Sequence, residues 1–180
     1  MERNLTHIAL FAALIAVLGL VPQISLASGV PITAQSLGIM LCGTVLGAKR
    51  GAMAVLLFLA LVAAGLPLLS GGRGGLGVFA GPSVGYLVGF PVAAFVTGWL
   101  MERTTLPVGF AATAAAVIGG IGVLYVFGIT GLSIMLDKTL PEAAFLGMAF
   151  LPGDILKAVL AGLVTQSLAR MRPASLLSRA

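Results

Sequence analysis

Leu151-Pro152-Gly153-Asp154-Ile155-Leu156-Lys157 opens the last apolar run of the chain, which continues to about Leu168. A Pro-Gly pair leads into a helix of membrane length. Asp154 and Lys157 stand three residues apart in its first turns, a spacing that puts both on one helical face. A charge at the centre of a bilayer costs about 2.5–3.5 kcal/mol on insertion scales. An acid and a base at the mouth of a span therefore need a polar cavity, a partner or each other. Two readings stand: a pair that snorkels to the interface, and a binding site for a small molecule with polar and charged ends.

The rest of the composition agrees with a membrane setting. Hydrophobic residues make up 59% of the 180 positions and charged residues 8%. A soluble domain needs about 25% charged residues to cover its surface. The chain is expected to be all-α and polytopic, one transmembrane domain over 1–180. The net charge of +5 comes from ten basic residues placed singly or in pairs. That is loop bias in a membrane protein rather than a nucleic-acid surface. Cys42, the single cysteine, excludes a disulfide within the chain and suits a core position.

A first span is expected from about Ile8 to Val21. Ser25-Leu26-Ala27 also has the small-x-small form of a signal cleavage site, but the preceding residues carry little positive charge. Ala9, Ala12, Ala13 and Ala16 give overlapping small-xxx-small pairs, where another helix can approach closely. They serve either internal packing or docking of a partner subunit. Pro22 to Ser36 carries no charge and reads as a loop. Thr33, Gln35 and Ser36 begin a second helix, about 33–48, as neutral ligand donors and acceptors or as caps. Lys49-Arg50 marks a tight turn before a third helix, about 52–66.

Glycines crowd the stretch Pro67 to Pro82. Gly72-Arg73-Gly74-Gly75-Leu76-Gly77 matches G-x-G-x-x-G in form only, since no strand precedes it and no acid follows about twenty residues on. Glycines such as Gly75 give a loop that can approach a ligand closely. Arg73 is placed to meet an anion or lipid headgroups. A fourth span runs from about Gly81 to Met101, with Gly81, Gly85 and Gly89 as a tight packing face and Trp99 as an interface anchor. The fifth span covers about 107–134 and contains Tyr125. Ala143 to Phe150 reads as a short surface helix leading into Pro152.

Six spans place both termini on one side. Arg3, Lys49, Arg50, Arg103, Arg170, Arg172 and Arg179 fall on that side, against Arg73 and Lys138 on the other. The positive-inside rule makes the terminal side cytoplasmic. The Gly-rich loop, the Gln35 region and the mouth of the Asp154 helix then share the external face.

Several chemistries are missing. His7 is the only histidine, so a multi-His or multi-Cys metal centre and a His-based triad are excluded. No Lys follows a Gly, so there is no Walker A motif and any energy for transport comes from another subunit. A Ser–Lys dyad of Ser83 and Lys157 is the remaining nucleophilic arrangement, and it ranks well below transport. No catalytic residues and no cofactor are assigned.

Gly29-Val30-Pro31-Ile32-Thr33-Ala34-Gln35-Ser36, the run Gly71 to Leu87 and Leu151 to Lys157 together resemble the BioY family, the biotin-specific S components of energy-coupling-factor (ECF) transporters. The likeness extends over nearly the whole chain in order and spacing. It implies a six-helix S-component fold in the cytoplasmic (inner) membrane of a prokaryote. It also implies biotin near the external face, under the loops between helices one and two and between three and four. Partners implied are a transmembrane coupling subunit and two ATPase subunits, with Ala9, Ala12, Ala13 and Ala16 as the docking strip. For a ligand with a ureido ring, an apolar sulfur ring and a carboxylate, Asp154 is expected to accept from ureido N–H groups, and Lys157 to pair with Asp154 or to donate. Gln35 and Thr33 supply neutral hydrogen bonds. Gly75 and Ser83 belong to the covering loop, and Phe79, Tyr86 and Tyr125 wall the apolar ring. Arg73 and Lys157 compete for the carboxylate. The alternatives are an S component for another vitamin and a ligand-free membrane scaffold.

Overall fold

Long apolar runs bounded by Pro, Gly and charge fold as helices, because in lipid only intrasegment hydrogen bonds satisfy the backbone. The computed structural model describes residues 2–26 and 28–179, with side chains from Asn4 onward. Ala27, the last residue of the cleavage-like triplet, and the side chain of Arg3 lie outside the described residues. The helices are α1 (Glu2–Leu18), α2 (Gln35–Leu46), α3 (Ala48–Ala63), α4 (Val84–Arg103), α5 (Val108–Val117), α6 (Leu124–Met135), α7 (Leu140–Gly147) and α8 (Leu151–Met171). A π-helical turn, Ile118–Val123, fuses α5 to α6, and a 3₁₀ turn, Met148–Phe150, fuses α7 to α8. The eight pieces thus make six passes.

Three passes are long and apolar enough to cross a membrane: Val84–Arg103, Val108–Met135 and Leu140–Met171, of 20, 28 and 32 residues. At about 1.5 Å rise per residue, 20 residues cover the roughly 30 Å hydrocarbon core. The other three helices are shorter. α2 has 12 residues, and Gln35 and every residue from Gly38 to Leu46 are buried. It runs through the middle of the bundle against α1, α3, α4 and α8. Protein rather than lipid surrounds its ends, so a short helix and irregular backbone are tolerated there.

Several boundaries differ from the sequence expectation. Lys49 and Arg50 lie in the first turn of α3, not in a loop, because α2 and α3 meet at one residue, Gly47 (φ 84°). The third pass ends at Ala63, and the chain turns back through a small antiparallel bridge between Leu69 and Arg73. Gly71 and Gly72 at its tip take φ of 78° and 70°, a region that L side chains rarely enter. Pro152 sits in the first turn of α8, where its missing N–H costs nothing.

Small residues set the closest helix contacts. Gly85 and Gly89 of α4 meet Phe127 and Gly131 of α6, whereas Gly81, expected on the same face, has open space around it. Gly43 of α2 faces Ala94 and Thr97 of α4. At the end of the bundle formed by the α2–α3 turn, the tail folds back. Leu176, Leu177 and Ser178 are buried, and Ser178 Oγ donates to the Thr44 carbonyl at 2.5 Å. Close by, Thr165 Oγ1 of α8 donates to Thr44 Oγ1 at 2.9 Å, tying α8 to α2.

Candidate functional site

Asp154 is 5% exposed, one turn into α8. Its carboxylate gathers three donors. Lys157 Nζ donates to Oδ1 at 2.8 Å, Ser36 Oγ to Oδ1 at 3.1 Å, and Tyr125 OH to Oδ2 at 2.9 Å. Lys157 Nζ also donates to Ser36 Oγ at 2.9 Å, closing a triangle of Asp154, Lys157 and Ser36. The side chains of Lys157 and Asp154 are only 14% and 7% exposed, so the pair does not snorkel into solvent. Two charges withdrawn from water survive when paired and further hydrogen-bonded. The donors come from three passes: Ser36 starts α2, Tyr125 lies just after the π-helical turn, and Lys157 is on α8.

A cavity of about 60 Å³ opens beside this cluster. Asp154, Lys157, Ser36, Thr33, Arg73 and Ser83 supply its polar wall. Val30, Ile32, Leu69, Tyr86, Leu87, Phe90, Leu124 and Phe150 supply the apolar wall. Tyr86 meets Phe150 edge-on at 5.6 Å between ring centroids and Tyr125 at 6.5 Å. Its hydroxyl is buried with no partner. Arg73 is steered by the loop that carries it, donating from Nε to the Ser70 carbonyl at 3.2 Å and from Nη1 to Ser83 Oγ at 3.5 Å.

Residues picked from the sequence fall into three groups. Asp154, Lys157, Thr33, Arg73, Ser83 and Tyr86 line the cavity, and Tyr125 reaches it through Asp154. Gln35 lines it too, but its amide serves the framework. Nε2 donates to the carbonyls of Ile15 (3.1 Å) and Leu68 (3.0 Å), and Oε1 accepts the Ser70 N–H (3.1 Å). Gln35 thereby pins α1 and the Gly-rich loop to the head of α2. Thr33 Oγ1 accepts the Gln35 N–H at 3.3 Å, so part of its capacity caps α2. Gly75 and Phe79 do not line the cavity. The Gly75 N–H donates to the Val62 carbonyl, and Phe79 packs half-buried against the core in the 3₁₀ turn Leu76–Ala80.

Ser36, expected with Thr33 and Gln35 among the neutral donors and acceptors, is the one of the three whose hydroxyl joins the Asp154 cluster. Phe150 lines the cavity without having been expected there, and its place directly before Leu151 was the available signal. Lys157 reaches Ser36 rather than Ser83, whose hydroxyl meets Arg73, so the Ser83–Lys157 dyad is not formed. Among the described residues, no three His, Cys, Asp or Glu side chains come together. On α1, Ala9 and Ala13 are exposed and Ala16 is half-buried, whereas Ala12 is only 4% exposed and packs inward with Ile8 and Ile15. Ala12 therefore leaves the external strip, because overlapping small-residue pairs on one helix cannot all face the same way.

The model of the BioY family matches residues 2–174. A Rhodobacter capsulatus protein, "Biotin transporter BioY", is 53% identical over 189 residues, covering 99% of this chain and all of its own. A Rhizobium etli protein of the same name is 56% identical over 169 residues, 90% of each chain. Among solved structures, a crystal structure at 2.1 Å of the S-component for biotin from an ECF-type ABC transporter superposes with a TM-score of 0.90. The two are 32% identical, and the match covers 97% of this chain and 96% of that one.

Proposed function

This chain belongs to the BioY family, and from that premise we propose that it captures biotin as the S component of an ECF-type transporter and serves biotin uptake across the cytoplasmic membrane. The observation that carries the reading is the buried Asp154–Lys157–Ser36–Tyr125 cluster beside a cavity with aromatic walls. A carboxylate offers about four acceptor sites. Three are taken here, which leaves one for a ureido N–H. Lys157, which spends two of its three protons on Ser36 and Asp154, has the third to donate to the ureido carbonyl, and Tyr86 and Phe150 hold the sulfur ring. Arg73, carried by the covering loop, is the carboxylate partner. A site whose buried polar groups each need a match rejects ligands that leave one unpaired.

The protein works by binding and not by bond chemistry, with biotin as cargo and no resident cofactor. Both termini lie on the cytoplasmic side, where the Lys49, Arg50 and Arg103 end of the bundle faces inward. Calorimetric titration in detergent is the direct test. Biotin is expected to bind tightly and to raise the melting temperature, as any ligand specific for the native state does. An unchanged melting temperature at saturating biotin, or an equal response to other vitamins, would overturn the assignment.

The exposed Ala9 and Ala13 edge of α1, with the half-buried Ala16, is the surface for the transmembrane coupling subunit, which in turn carries the ATPase subunits. Ala13→Leu is expected to leave biotin affinity unchanged and to abolish energised uptake in cells that express the whole transporter. Ala12→Leu, by contrast, forces a larger side chain into a filled core and should lower stability by about 1–3 kcal/mol. Loss of biotin binding with Ala13→Leu would mean that the strip packs internally.

A further inference from the structure

At the end of the bundle opposite the Asp154 cavity, a second cavity of about 320 Å³ opens between the α2–α3 turn, the last turns of α4 and the folded-back tail. Lys49, Arg50, Glu102, Phe95, Trp99 and Leu177 line it. An acid beside two cations ordinarily pairs with them. Here it does not. Glu102 Oε1 accepts the Ala48 N–H at 2.8 Å, and Lys157–Asp154 is the one ion pair among the described residues. Arg50 turns Nη1 toward two neutral acceptors, the carbonyls of Leu46 (3.5 Å) and Leu177 (3.3 Å), and no carboxylate among the described residues pairs with it. Lys49 is exposed, and Arg103 adds a third cation at the rim, 4.6 Å from the centre of the Trp99 ring.

The same rim is apolar on its outer side. Phe95 is 41% exposed and Trp99 is 40% exposed, on a helix long enough to span the membrane. A pocket of unpaired positive charge therefore runs directly into a lipid-facing aromatic surface, with a tryptophan at the border where headgroups begin. Arginine and lysine in such a position match a phosphate, and basic residues near the membrane surface each attract anionic lipid. The geometry points to a binding site for one anionic phospholipid of the cytoplasmic leaflet. Its phosphate sits between Lys49 and Arg50, and its acyl chains lie along Phe95 and Trp99. Glu102, held by the α3 backbone, sets the depth that the headgroup reaches. Inorganic phosphate shares the polar half of this chemistry but has nothing to place on the aromatic face.

The test uses the whole protein in a neutral detergent, with lipid retention read by native mass spectrometry. Phosphatidylglycerol is expected to stay bound in preference to phosphatidylcholine, and excess inorganic phosphate should not displace it. Lys49→Ala should weaken retention about fivefold, the size of one basic residue at an anionic surface, and Lys49→Glu further still. The Lys49 side chain is exposed and bonds to no other described residue, so both variants should melt with the parent protein in the absence of lipid. Equal retention of the two lipids, full retention by Lys49→Glu, or displacement by inorganic phosphate would each overturn the proposal.

Discussion

Asp154→Asn is expected to weaken biotin binding by roughly thirtyfold to several thousandfold. Truncating one partner of a buried, hydrogen-bonded charge pair costs about 2–5 kcal/mol, and that energy converts directly into dissociation constant. Asparagine keeps the shape and one acceptor oxygen but removes the charge that holds Lys157 at 2.8 Å. It also turns an NH₂ group toward either Ser36 or Tyr125, each of which now donates to its own carboxylate oxygen. Two causes are separable. If Asp154 acts only by neutralising Lys157, the double variant Asp154→Asn with Lys157→Met binds as well as Lys157→Met alone. If the carboxylate accepts from the ligand, the double variant is weaker than Lys157→Met alone. Titration calorimetry on these variants and the parent decides between them, and an Asp154→Asn affinity within a fewfold of the parent would remove the carboxylate from the biotin site.

Gly98→Val is expected to cost at least about 3 kcal/mol, the upper part of the range for overpacking, and to destroy the monodisperse protein in detergent. Even the first carbon added at Gly98 would run into the backbone of the α2–α3 turn, at Gly47 and Ala48. Backbone cannot rotate aside, so α4 must move away from two helices at once. That movement also strains the Glu102 bond to Ala48 and the tail seated beside it. Gly109 supplies the control. An added carbon there meets the side chain of Gln166, which has rotamers to spare. Gly109→Ala should leave the melting temperature nearly unchanged. If Gly98→Val melts like Gly109→Ala, the α4 crossing is looser than these contacts imply.

Much of this was legible because hydrophobic runs and charge placement are local properties. The three long passes follow from unbroken apolar stretches, and the Asp154–Lys157 pair from a three-residue spacing. What stayed hidden depends on distant partners. Gln35 looked like a ligand donor, yet the groups that claim its amide lie at Ile15, Leu68 and Ser70, beyond any local pattern. Ala12 could not be told from Ala13 by spacing, because the direction of the core is set by α2 and α3. Lys49-Arg50 read as a loop since charge usually marks one. In the fold the pair starts a helix because Gly47 completes the reversal alone. Tyr125 was expected to wall an apolar ring, and only the folded chain shows its hydroxyl on Asp154.

The π-helical turn Ile118–Val123 has a consequence for how chains of this kind can vary in length. A turn closed over five residues instead of four stores one residue more than an α-turn would. Above it, Ala111, Ala112, Ala115 and Ala116 keep their buried face, and below it Leu124 and Gly128 keep theirs. The extra residue is absorbed locally instead of rotating the rest of the helix by about 100°. Deletions and insertions between Gly119 and Gly122 thus have a place to be taken up while Tyr125 stays aimed at Asp154. The segment acts as a slack link, shielding the Tyr125–Asp154 contact from changes in helix length.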